Sequence, residues 1–289
     1  MVISIMHRPE EISESEFARL LAQYPAVVRT VSDSKPAKPG QKSLQLLDQF
    51  RYVDAPDSFG RVEPQHEMTL DEVERLVEWK LSVGTHMPSR YPRPLMTRSR
   101  HGKFRPTLMS LVSSNAPSLV QSTIAEAIDA YRSSSSPSPS SPPSSGAIAK
   151  AITTLAKLRG IGPATASLLL SVHDPERVIF FSDEAFYWLC SDGSKASIKY
   201  NAHEYSALCD RAATLVRRLR VSAMDIERVA YVIMRQPVDD GKVVKEQKAR
   251  TTLPKQQATS AKRKTMSTSA QATRAIDTPG VRRSKRLKS

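Results

Sequence analysis

A glycine-containing turn between two helical patterns is the clearest candidate for chemistry in this sequence. Residues 155–169 read Leu-Ala-Lys-Leu-Arg-Gly-Ile-Gly-Pro-Ala-Thr-Ala-Ser-Leu-Leu. The pattern predicts a helix ending at Leu158, a hairpin at Gly160–Gly162 and a new helix with Pro163 in its first turn. The glycines permit positive φ and let backbone N–H groups approach a phosphate, and the second helix adds unpaired N–H donors and the positive end of its dipole.

An aspartate follows this hairpin after an apolar stretch. Val178-Ile-Phe-Phe-Ser182 leads into Asp183, which lies 23 residues beyond Gly160 and precedes a predicted helix. Ser182 and Asp183 are both good N-cap residues, so helix capping is one interpretation of Asp183. A catalytic role is the other, and it follows from the family resemblance that the hairpin and this aspartate carry together.

These two features together resemble the helix-hairpin-helix DNA glycosylase superfamily, which includes endonuclease III and the alkyladenine and oxoguanine glycosylases. The shared pattern is Leu-x-x-Leu-x-Gly-Ile-Gly-x-x-Thr-Ala with the aspartate downstream. The general resemblance covers residues 66–235 and the specific match lies within 148–190. It implies that Asp183 stabilises the cationic sugar formed as a base leaves, or activates the incoming nucleophile. It also implies that double-stranded DNA is bound by the hairpin residues Gly160, Ile161, Gly162, Ala164 and Thr165.

Two departures from this superfamily narrow the expected reaction. Ala164 stands where its bifunctional members carry the Schiff-base lysine, so coupled strand cleavage by that route is not expected. Only two cysteines, Cys190 and Cys209, are present, which excludes a four-cysteine iron–sulfur cluster or zinc site. The expectation is a monofunctional glycosylase of base-excision repair that uses water and no cofactor, although the hairpin is compatible with a monovalent cation. The alternatives are a non-catalytic DNA-binding module and a nuclear interaction protein.

The aromatic residues near Asp183 have two interpretations. They line a pocket that stacks a flipped base, or they belong to the core. The candidates are Phe181, Tyr187 and Trp188.

The charge of the chain suits a polyanionic partner. Its 289 residues carry 43 Lys and Arg against 29 Asp and Glu, a net charge of +14. Residues 238–289 hold 14 of those bases and 4 of the acids and lack aromatic residues, which predicts a disordered basic tail. The tail either directs nuclear localisation through an import receptor or only solubilises the protein. Its last basic cluster is Arg282, Arg283, Lys285, Arg286 and Lys288.

A second basic run lies between residues 84 and 105. Pro88, Pro92 and Pro94 are expected to keep residues 84–101 out of a helix, so 84–105 is interpreted as a basic loop. Its Lys103 and Arg105 either contact the DNA backbone or belong to an exposed insertion with no partner. Pro106 is expected to begin a short helix.

Hydrophobic periodicity predicts an all-α fold. The resemblance implies that its helices form a bundle like that of the helix-hairpin-helix glycosylases. Capping boxes are expected at Ser13/Glu16 and Thr69/Glu72, with Pro25 ending the first helix. No apolar run approaches the roughly 20 residues needed to cross a bilayer, so no membrane partner is expected. The protein is expected to be a monomer. The expected organisation is an N-terminal helix and extended arm (1–65), a core (66–237) with a Ser/Pro-rich insertion at 133–145, and the tail (238–289).

Overall fold

Helices form the framework of this protein. The computed structural model describes residues 7–34, 37, 40–61, 63–83, 101–135, 142–194 and 197–236, with the backbone alone for 101–106. No β-strand occurs in these ranges, so the all-α prediction is confirmed for them. The helices are α1 (Glu14–Ser34), α2 (Leu44–Gln49), α3 (Ala55–Phe59), α4 (Leu70–Val83), α5 (His101–Ser113), α6 (Pro117–Ser133), α7 (Ser145–Leu155), α8 (Pro163–His173), α9 (Asp183–Cys190), α10 (Ala202–Leu219) and α11 (Ala223–Ile233), with a π-helical segment (Phe50–Asp54) between α2 and α3.

Both predicted capping boxes contain hydrogen bonds of the expected kind. The Glu16 N–H donates to Ser13 Oγ (3.2 Å). The Thr69 N–H donates to the Glu72 carboxylate (2.8 Å), which also accepts from the Thr69 hydroxyl. The first turns of α1 and α4 are therefore specified locally, by residues three positions apart.

The prediction that Pro25 ends the first helix is wrong, because α1 continues through it to Ser34. Proline removes one N–H donor and crowds the preceding turn. Tyr24 and Val28 are both buried on either side of it, each 4% exposed. Their burial offsets the local cost, and α1 remains continuous against the core.

Helix α5 also begins earlier than expected, at His101 rather than at Pro106. Lys103 and Arg105 therefore belong to a helix and not to the loop expected at 84–105. Their side chains, and residues 84–100, lie outside the described residues. The Ser/Pro-rich insertion lies between the end of α6 at Ser133 and the start of α7 at Ser145, with 136–141 also outside the description.

The region expected to be an N-terminal helix and arm contributes to the same core as the later helices. Tyr24 of α1 meets Tyr231 of α11 edge to face, with ring centroids 5.5 Å apart. Phe17, Leu20 and Leu47 are almost fully buried. None of the described helices has both the length and the apolar composition needed to span a membrane. The basic tail of 238–289 lies outside the described residues, including the cluster Arg282 to Lys288.

Candidate functional site

The hairpin between α7 and α8 begins at a position that strongly favours glycine. Helix α7 ends at Leu155, earlier than the predicted Leu158, and hydrogen-bonded turns lead to Gly160. Gly160 has φ +80°, a conformation that side chains disfavour. A Cβ there would lie only 3.0 Å from the side chains of Leu111 and Val112 at the end of α5. Backbone conformation and close packing both disfavour a larger residue.

Gly162 has a different role from the one expected. Its φ of −91° and ψ of 178° are extended and open to any residue, so Gly162 does not adopt the positive φ that a glycine permits. A Cβ on Gly162 would meet no atom within 4 Å. Gly162 is the N-cap of α8, and the space that a side chain would enter at this position is open.

The first turn of α8 retains two N–H groups that can bind an anion. The N–H groups of Thr165 and Ala166 both donate to the Gly162 carbonyl (2.9 and 2.8 Å). The N–H groups of Gly162 and Ala164 donate to no atom of the described residues. They lie at the positive end of the α8 dipole, where a phosphate oxygen is a favourable acceptor.

The hairpin side chains, in contrast, face the protein. Ile161 is 4% exposed and Thr165 is 2% exposed. The Thr165 hydroxyl accepts a hydrogen bond from Lys80 Nζ of α4 (2.8 Å). Any contribution of Ile161, Ala164 and Thr165 to DNA binding therefore comes from the backbone.

Asn115 fixes the hairpin to the end of α5 and was missed by the sequence reasoning. Its amide donates to the Arg159 carbonyl (2.9 Å), and its carbonyl accepts from the Arg159 N–H (2.9 Å). The same amide donates to the Val112 carbonyl (2.8 Å). Asn115 is 6% exposed, so these bonds are shielded from water. A signal for this role exists in the asparagine at the end of a predicted helix, but its partner lies 44 residues away.

Asp183 is the first residue of α9 and not its N-cap. Ser182 occupies the N-cap position, and its hydroxyl accepts a hydrogen bond from the Ala185 N–H (3.1 Å). Asp183 is partly exposed, and its carboxylate accepts a hydrogen bond from the Tyr200 hydroxyl. Of this pair of residues, Ser182 is therefore the one that caps the helix.

The apolar segment before Asp183 is held by side chains from two helices instead of by a β-sheet. The Phe180 N–H donates to Glu227 Oε1 of α11 (2.7 Å). The Phe181 N–H donates to Ser167 Oγ of α8 (2.9 Å). Since α8 starts at the hairpin, the second bond connects the hairpin helix to the segment that ends at Asp183.

Glu227 is also half of a buried ion pair. Arg51 of the π-helical segment donates to Glu227 Oε2 (2.9 Å) and to Ser171 Oγ (2.8 Å), and both charged side chains are almost completely buried. Burial raises the pKa of Glu227, and the charge of Arg51 opposes that rise. The sequence contains a signal for this buried carboxylate, because Glu227 lies on the apolar face of α11 between Ala223 and Ala230.

The three aromatic candidates for a base pocket divide into two groups. Phe181 and Trp188 are each 1% exposed and belong to the core. Phe181 stacks on Tyr205, with centroids 5.3 Å apart, and Trp188 Nε1 donates to the His7 carbonyl (2.6 Å). Only Tyr187 of the three is partly exposed, and burial with the nearby Asp183 charge raises the pKa of Tyr187 to about 12.

The described residues contain no group of three or more His, Cys, Asp or Glu side chains arranged to hold a metal ion. Cys190 and Cys209 are half-buried, and burial raises their pKa values to about 11 and about 12, so both thiols are protonated at neutral pH. His173 is buried, and His203 is exposed. No protein-family model, curated protein or solved structure matches this chain.

Proposed function

We propose that this protein binds double-stranded DNA through the hairpin at Gly160–Thr165 and hydrolyses the N-glycosidic bond of an extruded base with the help of Asp183. The observation that carries the proposal is that Ser182 and Asp183 have different roles at the start of α9. Ser182 caps the helix, and Asp183, one residue later, stays partly exposed. A carboxylate that the helix does not need as its cap is available to a substrate.

The hairpin supports the DNA-binding part of this proposal. The N–H groups of Gly162 and Ala164 are donors at the start of α8, and the absent side chain of Gly162 leaves room for a phosphate to approach. Backbone donors hold the register of a duplex without reading its sequence. The basic clusters of 238–289 would add phosphate contacts and direct the protein to the nucleus through an import receptor.

The catalytic part follows from the charge that develops in the sugar. As the base departs, the deoxyribose becomes cationic, and a fixed carboxylate stabilises that cation more than it stabilises the neutral ground state. Water then completes the hydrolysis, since the residue at 164 is alanine and supplies no amine. The product of this reaction is a free base and an abasic site.

A second candidate function is a DNA-binding module without catalysis. The observation that favours it is the burial of Phe181 and Trp188, both 1% exposed and packed in the core. This leaves Tyr187 as the one partly exposed member of the three residues considered for base stacking. Such a module would retain the hairpin and its phosphate contacts.

Base release from a panel of lesion-bearing duplexes, measured under single-turnover conditions, tests the proposal. Asp183→Asn retains the shape of the side chain and removes its charge, so base release should fall by several orders of magnitude while duplex affinity stays the same or rises. Asp192→Asn is the matched control, because it removes the same charge from an exposed residue just beyond α9. If the wild type releases no base from any lesion and Asp183→Asn binds DNA as the wild type does, the non-catalytic module is correct.

A further inference from the structure

Tyr200 has a backbone conformation that is unusual for a large side chain. Its φ is +54°, in the left-handed region. The residues on both sides fix this turn. The Lys199 N–H donates to both carboxylate oxygens of Glu204 (3.2 and 2.9 Å), and Asn201 accepts from the Glu204 N–H (2.9 Å) as the N-cap of α10. The conformation of Tyr200 is therefore set by the start of α10.

This turn directs the Tyr200 side chain toward the start of α9. Its ring lies against Phe181, with centroids 5.3 Å apart, and its hydroxyl donates to Asp183 Oδ1. Burial, reinforced by the charge of Asp183, raises the pKa of Tyr200 well above its ordinary value. The hydroxyl therefore remains protonated and acts as a donor over the whole neutral range.

We propose that Tyr200 is a positioning residue for Asp183, which holds one carboxylate oxygen so that the other is presented to the sugar. The Oδ2 atom of Asp183 accepts no hydrogen bond within the described part of the chain. Two separate elements thus hold Asp183: α9 fixes its backbone, and the turn before α10 fixes its carboxylate. This inference rests on the proposed glycosylase function.

A carboxylate with a fixed orientation should give a faster reaction than one that rotates. A hydrogen bond from Tyr200 withdraws some charge from Asp183, which by itself weakens its attraction for a cation. It also removes the need to orient the carboxylate during the reaction, and misplacement of a reacting group by 1 Å can cost about a hundredfold in rate. We expect the orienting effect to exceed the loss of charge.

The test replaces Tyr200 by phenylalanine in the full-length protein. Tyr200→Phe retains the ring that packs on Phe181 and removes the donor. The single-turnover rate of base release should fall by about tenfold to a hundredfold, with unchanged duplex affinity. Tyr205→Phe is the control, because its ring also stacks on Phe181 while its hydroxyl donates to the Ile179 carbonyl instead. That variant should melt at a lower temperature and retain the wild-type rate per folded molecule.

A double-mutant cycle on stability reports the contact without using activity. Tyr200→Phe and Asp183→Ala each remove the same hydrogen bond, so their effects on the free energy of unfolding should be strongly non-additive. Additive effects, or a wild-type rate of base release in Tyr200→Phe, would overturn the positioning role. Non-additivity together with a wild type that releases no base would overturn the glycosylase function, and with it this role, while leaving the contact itself established.

Discussion

Replacing Gly160 and Gly162 separately by alanine should separate folding from DNA binding within one hairpin. At Gly160, alanine has to adopt a φ of +80°, which costs about 1 to 2 kcal/mol. Its Cβ would also lie 3.0 Å from Leu111 and Val112, and overpacking of this kind costs about 1 to 3 kcal/mol. Gly160→Ala should therefore lower the melting temperature by about 5 °C or more.

At Gly162 the expected result is the reverse. The extended backbone accepts alanine, and the added Cβ contacts nothing in the protein. Alanine is a poorer N-cap than glycine but reduces the entropy of the unfolded chain, and these two effects are each below about 1 kcal/mol and opposite in sign. The melting temperature should stay near that of the wild type. The methyl group would, however, narrow the open space around Gly162 from which, on the proposed function, a phosphate reaches the Gly162 and Ala164 N–H groups.

The assay pairs thermal unfolding with fluorescence anisotropy of labelled duplexes at one fixed salt concentration. Hydrogen bonds to a charged acceptor contribute about 1.5 to 3 kcal/mol each, so loss of one should weaken binding by about tenfold or more. The loss should be equal for duplexes of different sequence, because backbone donors do not read bases. Wild-type affinity in a folded Gly162→Ala protein would remove the hairpin from the DNA interface, and a wild-type melt for Gly160→Ala would refute the packing argument.

Three further predictions concern the surroundings of the hairpin and the tail. Asn115→Ala removes both hydrogen bonds to the Arg159 backbone, so it should lower the free energy of unfolding by about 2 kcal/mol and weaken duplex binding. Ser114→Ala, at the exposed neighbouring position, should change neither quantity. Chemical denaturation measures the free energy of unfolding, and anisotropy measures duplex binding. Burial lowers the pKa of His173 to about 4, so between about pH 6.5 and 4 the unfolded chain takes up a proton that the folded protein does not. The free energy of unfolding should therefore fall by about 2 kcal/mol from pH 7 to pH 5, and this fall should be smaller in the His173→Gln variant. Removal of residues 238–289 should leave the melt almost unchanged, flatten the salt dependence of DNA binding and abolish nuclear accumulation; a large loss of helicity would contradict the predicted disordered tail.

Features decided by neighbouring residues could be predicted from the sequence. The capping pairs Ser13/Glu16 and Thr69/Glu72 act within one helical turn, so their residue types and spacing suffice. The glycine requirement at Gly160 was also predictable, because a tight connection between two helices usually needs one residue with positive φ.

Features decided by distant residues could not be predicted. The continuation of α1 through Pro25 depends on what Tyr24 and Val28 pack against, which periodicity alone does not reveal. The Asn115–Arg159 and Arg51–Glu227 contacts join residues 44 and 176 positions apart. The spacing of residues along the sequence does not predict contacts that only the tertiary fold brings together.

The start of α9 shows how a tertiary contact changes the interpretation of a local signal. From the sequence, Ser182 and Asp183 compete for one cap position, and an acid there is adequately explained by capping. The structure assigns the cap to Ser182, which leaves Asp183 a favourable interaction with the α9 dipole of about 0.3 to 1 kcal/mol as its local contribution to folding. The segment before it is held by Glu227 and Ser167, neither of which depends on the Asp183 charge. The Asp183 carboxylate also accepts a hydrogen bond from the Tyr200 hydroxyl through one of its two oxygens. On the proposed function, the charge of Asp183 matters most to a bound sugar that becomes cationic as the base leaves.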